Sequence, residues 1–226
     1  MKIIELDSVD STNEYCKRID CGEDVVVFAK RQTEGRGTRG RDFISEVGGL
    51  YVTVMRHYTR FPASEAFKIM IDHCVAVCKT LEHFSLKPVI RWANDVLIDG
   101  KKICGTLIEN TFGGGEIVRS VVGVGINVNN ALPESLKDIA TTITQHVSAK
   151  VGVEEVKKEF LKNIGRTYSV EDYKSYIDYF GKSVTLINGA VIRSVVVLDI
   201  SADGRLIVKE GDKIMEISSA EVGLRV

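Results

Sequence analysis

The feature that most constrains the fold is one long amphipathic segment set among strand-like runs. Between Ser64 and Phe84, apolar residues recur with the period of an α-helix, which predicts a helix with one buried face. Apolar and β-branched runs typical of strands lie on both sides of it, at 3–6, 25–29, 49–55, 96–98, 102–109 and 117–124. We therefore expect the apolar face of the helix to pack on a sheet.

The last part of the chain has a different spacing of apolar runs and turns. From Gly181 onward, short apolar runs are separated by the turn pairs Asn188-Gly189, Asp203-Gly204 and Gly211-Asp212. Closely spaced short strands of this kind predict a small barrel of roughly 45 residues. The preceding segment, 133–180, is predicted to be mainly helical. The expected domains are therefore residues 1–180 and 181–226.

A loop rich in arginine and glycine joins two of the predicted strands. Its sequence is QTEGRGTRGR, residues 32–41. Glycines free the backbone from ordinary φ/ψ space and guanidinium groups attract anions. The spacing of a nucleotide P-loop is absent. Considered without the rest of the chain, the composition of this loop is explained equally well by a solvated turn or by a segment that binds RNA backbone as by a specific anion site.

Composition narrows these alternatives. The 226 residues have a net charge of -1, so no overall field attracts nucleic acid. Five cysteines, an odd number, suit a reducing cytoplasm, and with the four histidines they form no pattern of metal ligands. The N-terminus lacks a secretory signal and no window has the apolar length of a membrane span. We expect a cytoplasmic protein without a membrane segment or a metal site built from protein ligands.

Three further motifs place polar groups or glycines at the ends of predicted elements. STN at 11–13 opens a helix with capping-box spacing, and a helix start with hydroxyl and amide groups also suits a small polar ligand. In RWAND at 91–95, Trp92 is equally explained as core packing and Asp95 as a turn or helix cap. GVGIN at 123–127 lacks the third glycine and the helix of a dinucleotide site.

In this order, the motifs resemble the biotin protein ligase family, also called biotin–[acetyl-CoA-carboxylase] ligase. The matching pieces are STN, GRGTRGR at 35–41, RWAND, Lys102 with Gly105, GVGIN and the C-terminal small strands, and together they span nearly the whole chain. The resemblance implies an α+β fold in which helices pack on a mixed, largely antiparallel sheet, followed by a small SH3-like β-barrel. It also implies a two-step reaction. Biotin and ATP form biotinyl-5′-AMP and pyrophosphate, and a lysine of a biotin carboxyl carrier protein or domain then attacks the adenylate.

The resemblance further implies which residues form the site. Joining two anions requires positive charge around the phosphates, which arginines, a lysine and Mg²⁺ supply. The expected catalytic cations are Arg36, Arg39 and Arg91. The residues expected to bind biotin or its adenylate are Ser11, Thr12, Asn13, Gln32, Gly35, Arg36, Gly37, Thr38, Arg91, Gly105, Gly123 and Gly125. Those expected on the ATP and Mg²⁺ side are Arg41, Asn94, Asp95, Lys102 and Asn127. Arg225 is a candidate contact from the C-terminal domain.

Three positions depart from the family pattern. The family usually has lysine at Arg91 and proline at Ala93, and often a further arginine at Thr38. Arginine stays protonated, so we expect Arg91 to hold anionic oxygens and not to act as a base. Thr38 removes one cation from the loop, which predicts leakage of biotinyl-AMP.

Some members of the family carry a DNA-binding module before the catalytic domain, whereas here STN begins at residue 11. We therefore expect a monofunctional ligase that does not bind DNA; the resemblance also allows a homodimer. One alternative is a lipoate or octanoate ligase or transferase of the related fold, which is expected to show a different loop or a catalytic cysteine. The other is a non-catalytic biotin-binding protein.

Overall fold

The computed structural model describes residues 1–20, 22–188, 191–218 and 223–225. Its first sheet has seven strands and its second has five. The first sheet contains β1 Lys2–Leu6, β2 Val25–Ala29, β3 Leu50–Pro62, β4 Val89–Arg91, β5 Asp95–Ile98, β6 Lys101–Gly113 and β7 Glu116–Ile126. The helices are α1 Thr12–Arg18, α2 Phe67–His83, α3 Val153–Asn163 and α4 Val170–Lys174. The second sheet contains β8 Ser183–Asn188, β9 Val191–Ile200, β10 Leu206–Glu210, β11 Lys213–Ile217 and β12 Gly223–Arg225.

The seven-stranded sheet is mixed and largely antiparallel, as predicted. Its order is β1-β2-β3-β7-β6-β5-β4, and only β1 and β2 run parallel. Tight turns join the consecutive strands of its second half. Asp99 and Gly100, with φ of 49° and 76°, connect β5 to β6, and Gly114 and Gly115, with φ of 61° and 83°, connect β6 to β7. These left-handed conformations explain the glycines in both turns.

Helices cover both faces of this sheet. On one face α1 packs through Cys16 against a small cluster that includes Val25, Val27, Met55 and Val121. On the other face the buried side of α2 joins the main hydrophobic core. Because successive side chains of a strand point to opposite faces, one apolar run such as β2 supplies both clusters. The face covered by α1 also carries the buried polar residues Thr12 and Asn13 at the start of that helix.

The second sheet extends the main core. Its order is β11-β10-β9-β8-β12 with antiparallel pairing, so β11 and β12 are its outer strands and no barrel closure is seen in the described part of the chain. Buried Val184, Leu186 and Val197 belong to the same core as α2. Trp92 Nε1 donates to the Gly204 carbonyl at 2.9 Å, which fixes one β9–β10 turn against the first sheet. Gly189 of the predicted Asn188-Gly189 turn lies outside the described residues.

Two predictions of local structure need correction. The helix predicted broadly over 133–180 is confined to α3 and α4, with a 3₁₀ turn at Glu134–Leu136 and another at Ile143–Gln145. Backbone bonds hold this segment to the sheet, since Lys102 N donates to Ile139 O at 2.9 Å and Ile143 N donates to Asn127 O at 3.1 Å. The strand predicted to end near Val124 continues to Ile126, so Gly125 also lies inside β7 and not beyond its end. No helix in the described ranges has the length and apolarity to cross a membrane.

Candidate functional site

Two adjoining cavities lie where the loop 32–45 meets β6 and β7. We call the first the polar pocket; its lining includes Ser11, Thr12, Asn13, Gln32, Arg36, Gly37, Phe43, Lys102, Gly105, Gly123 and Gly125. We call the second the cationic pocket; its lining includes Arg39, Arg41, Met70, Arg91, Trp92, Asp95, Gly223 and Leu224. Both cavities are lined by Thr38, Asn94 and Thr106. The two pockets therefore form one continuous site.

The start of α1 provides the polar wall of the first pocket. Ser11 is the N-cap, and Thr12 and Asn13 are buried at 3% and 4% exposure. Thr12 donates to Gln32 Oε1 from its backbone N at 2.8 Å and from its hydroxyl at 2.9 Å. Thr53 Oγ1 lies 2.7 Å from Thr12 Oγ1 and 2.6 Å from Asn13 Oδ1. These bonds hold the hydroxyl and amide groups in fixed orientations.

Glycine backbone forms the floor of the polar pocket. In the register of β6 with β7, Gly105 pairs with Gly125, and a Cβ at Gly125 would overlap the ring of Phe43. The Phe43 ring also lies 5.7 Å from Lys102 Nζ. With this ring in place the pocket retains about 40 Å³ of free volume, enough for only one or two waters. A larger ligand therefore requires the Phe43 side chain or its loop to move.

An ion triad links residues of the two pockets. Asp95 Oδ2 lies 2.7 Å from Arg91 Nη2, and Asp95 Oδ1 lies 2.6 Å from Lys102 Nζ. Burial would raise the pKa of the Asp95 carboxyl, but Lys102 and Arg91 together hold that pKa below its usual value. Asp95 Oδ1 still accepts no aligned hydrogen bond. The site thus contains an ionised, buried carboxylate between two cations.

The arginine-glycine loop is folded as an irregular hairpin over the site. Isolated bridges pair Gln32 with Ser45 and Arg36 with Asp42, and Phe43 N donates to Gly35 O at 2.8 Å. Arg36 Nη1 lies 3.0 Å from Glu14 Oε1.

The tip of this hairpin carries further cations. Arg39 has a left-handed backbone with φ of 60°. Arg41 donates to the Thr38 hydroxyl at 3.0 Å. The loop therefore directs Arg36 to the polar pocket, while Arg39 and Arg41 line the cationic one.

Most of the predicted site residues are brought together. Gly35 and Asn127 are the exceptions, because neither is among the described residues that line the two pockets. Gly35 is buried within the hairpin, and Asn127 Oδ1 accepts from Asn130 at 3.2 Å beyond the end of β7. Lys102, predicted on the nucleotide side, lines the polar pocket and reaches the cationic one only through Asp95. The side chain of Arg225 lies outside the described residues.

The predicted site residues did not include Phe43 and Thr106, which line the pockets, or Thr53 and Glu109, which contact Asn13. Glu109 accepts from Asn13 Nδ2 at 2.8 Å and lies 2.6 Å from Lys17 Nζ. Strand alternation was the available signal, because Gly105 and Glu109 are four residues apart on β6 and share a face. Thr53 and Phe43 carried no comparable signal, since their roles depend on strand pairing and on the path of the loop.

The described cysteines do not contribute a nucleophile. Cys16, Cys74, Cys78 and Cys104 are free and buried. Burial raises the pKa of the Cys16 and Cys74 thiols to about 12, so both stay protonated near neutral pH. None of the four lines either pocket. Cys21 lies outside the described residues.

The sequence matches two family models. The model described as the biotin/lipoate A/B protein ligase family matches residues 6–127, and the biotin protein ligase C terminal domain matches residues 179–225. The first match spans more than half of the chain. The protein therefore belongs to the biotin/lipoate A/B protein ligase family, and its second sheet corresponds to the C-terminal domain of biotin protein ligases.

Individual relatives agree with this assignment. The chain is 28% identical over 236 residues to the bifunctional ligase/repressor BirA of Bacillus subtilis, covering 97% of this chain and 72% of that one. It is 26% identical over 180 residues to the biotin–[acetyl-CoA-carboxylase] ligase of Paracoccus denitrificans, covering 76% of this chain and 72% of that one. The Aquifex aeolicus biotin protein ligase, solved with biotin and ATP, superposes with a TM-score of 0.82 at 28% identity, covering 99% and 98% of the two chains.

Proposed function

We propose that this protein activates biotin with ATP to biotinyl-5′-AMP and then transfers biotin to a specific lysine of a carrier domain of a biotin-dependent carboxylase. The observation that carries the proposal is a small polar pocket adjoining a cationic pocket, with the Arg91–Asp95–Lys102 triad linking residues of the two. The similarity to an Aquifex aeolicus ligase solved with biotin and ATP supports it. Self-association as a homodimer stays a prediction.

The polar pocket suits the ureido ring of biotin. A ureido group offers two N–H donors and one carbonyl acceptor, and the start of α1 with Gln32 supplies hydroxyl and amide partners of both kinds. Once the Phe43 ring moves away from Gly125, the glycine floor would let a bicyclic ring approach β6 and β7 closely. Biotin would lie with its ring at Thr12 and Asn13 and its carboxylate toward Lys102.

The cationic pocket suits the phosphates of ATP. The first step brings a carboxylate to an α-phosphate, so mutual repulsion of two anions is the main obstacle. Lys102 at the end of the polar pocket would hold the carboxylate, while Arg91, Arg39 and Arg41 would hold phosphate oxygens. Asp95 keeps Arg91 and Lys102 next to one another before the substrates arrive. In the second step the lysine amine of the carrier attacks the acyl carbon of the mixed anhydride and displaces AMP, and no enzyme nucleophile is needed.

The donor set is compatible with Mg²⁺. No group of three or more histidine, cysteine, aspartate or glutamate side chains suited to a metal occurs in the described ranges. Mg²⁺ commonly binds through one or two carboxylates together with substrate phosphates and water. Asp95, which lines the cationic pocket, would supply that carboxylate. When bound there, Mg²⁺ would neutralise charge that develops on the phosphates.

The loop residue Thr38 leads to a prediction about the intermediate. Thr38 lines both pockets and offers a hydroxyl in place of a cation, and Arg41 is bound to that hydroxyl. We expect biotinyl-AMP to escape measurably, which would appear as nonspecific lysine biotinylation of a bystander protein. Thr38→Arg should reduce this leakage. Tight retention by the wild-type protein would show that Arg39 or Arg41 replaces the missing cation.

The deciding assay is ATP–pyrophosphate exchange with three acids. We expect exchange with biotin and none with lipoate or octanoate, followed by biotin transfer to an apo carrier domain. Exchange with lipoate or octanoate alone would assign the protein to the related ligases. Biotin binding without exchange would identify a non-catalytic binding protein. Either result would refute the proposal.

A further inference from the structure

A chain of hydrogen-bonded side chains runs beneath the polar pocket. It starts at Gln32, which accepts from Thr12, and continues through Thr53 to Asn13. Asn13 then donates from Nδ2 to Glu109 Oε2 at 2.8 Å. The partners Asn13 and Glu109 are 96 positions apart in sequence, so only the packing of α1 on the sheet brings them together.

From Glu109 the chain returns to the arginine-glycine loop. Lys17 Nζ lies 2.6 Å from Glu109 Oε1 and 3.0 Å from Glu14 Oε1, and Arg36 Nη1 lies 3.0 Å from the same Glu14 oxygen. The side chains of Glu109, Lys17 and Glu14 are 37%, 29% and 27% exposed. Ion pairs with this much solvent access contribute little to stability. Their arrangement therefore calls for an explanation other than holding the fold together.

That explanation is the orientation of the Asn13 amide. A terminal amide rotates easily, and its two ends differ only in which is donor and which is acceptor. Glu109 is an acceptor only, so it selects Nδ2, while the Thr53 hydroxyl faces Oδ1. A Cβ at Gly123 would overlap this amide, so the amide lies directly on the glycine floor. With both ends fixed, Asn13 presents its remaining N–H and lone pair in set directions.

We propose that Glu109 is a positioning residue for ligand recognition. Its carboxylate fixes the orientation of the Asn13 amide in the polar pocket, and through Lys17 and Glu14 it joins Arg36 of the loop to the same network. This inference rests on the proposed function, because it concerns how the pocket recognises the ring of biotin. Glu109 itself does not line the pocket and acts only through Asn13.

The test separates the hydrogen bond from the ion pair. Lys17→Met and Glu109→Met break the same ion pair with the same substituent, but only Glu109→Met removes the acceptor of Asn13. In biotin-dependent ATP–pyrophosphate exchange, we expect Glu109→Met to raise KM for biotin roughly tenfold, since a hydrogen bond to a charged group is lost. Its KM for ATP should stay within about twofold of wild type. Lys17→Met should keep KM for biotin within about threefold.

Two charge-balanced double variants provide the decisive comparison and keep the net charge of the wild type. Glu109→Gln with Lys17→Met retains an acceptor oxygen for Asn13, whereas Glu109→Met with Lys17→Met does not. We expect the first to restore KM for biotin and the second to remain impaired, with equal unfolding midpoints in urea. Equal KM in the two double variants, with an active wild type, would overturn the inference alone. A wild type without biotin-dependent exchange would overturn the proposed function and this inference together.

Discussion

Replacing Asp95 by asparagine tests the ion triad at the centre of the site. Asparagine keeps the shape of the side chain but removes the charge that lies between Arg91 and Lys102. Removing one partner of a fully buried pair costs about 3–5 kcal/mol, and breaking an exposed pair costs about 0–1 kcal/mol. Asp95 is 13% exposed, but Arg91 and Lys102 are 28% and 30% exposed and can turn toward water. The expected loss in free energy of unfolding is therefore about 2 kcal/mol.

The loss should be measured without substrates, by urea and thermal unfolding at pH 7. For a chain of this size, about 2 kcal/mol corresponds to a fall in Tm of about 4–8 °C. Asp7→Asn is the matched control, because Asp7 forms an ion pair with Lys30 in which the two side chains are 89% and 72% exposed. This control should unfold at the wild-type midpoint. An Asp95→Asn protein as stable as the control would refute the triad as a buried, ionised cluster.

The same variant predicts a pH dependence. Since Lys102 and Arg91 overcome burial and lower the pKa of Asp95, its charged form is favoured by folding. The stabilisation is fully present above the pKa of the unfolded carboxyl, about 3.9. It is lost as the pH falls through the lower pKa of the folded state. The difference between wild type and Asp95→Asn should be constant from pH 5 to 8 and shrink below about pH 4. A difference that grows on acidification would contradict this assignment.

Three other substitutions probe separate parts of the site. Gly123→Ala should raise KM for biotin several-fold, because the added Cβ would overlap the side-chain amide of Asn13. Gly165→Ala is the control, since there is open space around Gly165, and it should leave KM unchanged. Equal KM values for the two variants would exclude close packing at the glycine floor of the polar pocket. Trp92→Phe should lower the free energy of unfolding by about 1 kcal/mol, because the indole hydrogen bond to the Gly204 carbonyl is lost. An unchanged midpoint of urea unfolding would contradict this prediction. Wild type and Arg91→Lys should both form biotinyl-AMP, whereas Arg91→Ala should not. Equal rates of adenylate formation by all three proteins would refute a charge-holding role.

The sequence alone predicted the elements whose pattern is local. The period of apolar residues identified α2, a continuous apolar run identified β2, and two short apolar runs joined at Asp99-Gly100 identified β5 and β6. These predictions succeed because side-chain periodicity reports which face of an element is buried. The same local reasoning extended helix too far across 133–180, where backbone bonds from β6 and the end of β7 hold the chain in an irregular path. A backbone hydrogen bond to a distant strand produces no periodic pattern in the sequence.

The order of the motifs also placed most candidate site residues together before any geometry was known. STN, the arginine-glycine loop and RWAND each carry groups suited to a ligand, and all three line the two joined pockets. Asn127 and Gly35 were included with them because of their sequence neighbours. The fold separates them from the pockets, since Asn127 follows the end of β7 and Gly35 is buried within the hairpin.

The tertiary structure decided the partners of each charged and polar side chain. Asp95 was equally explained as a turn cap by sequence, and strand pairing makes it the shared carboxylate of Arg91 and Lys102. Glu109 had no motif of its own and acquires a role only because α1 docks Asn13 and Lys17 against it. Local periodicity therefore determined which segments fold, whereas strand register and helix docking determined the chemistry, because electrostatic and hydrogen-bond partners are set by distances between residues far apart in the chain.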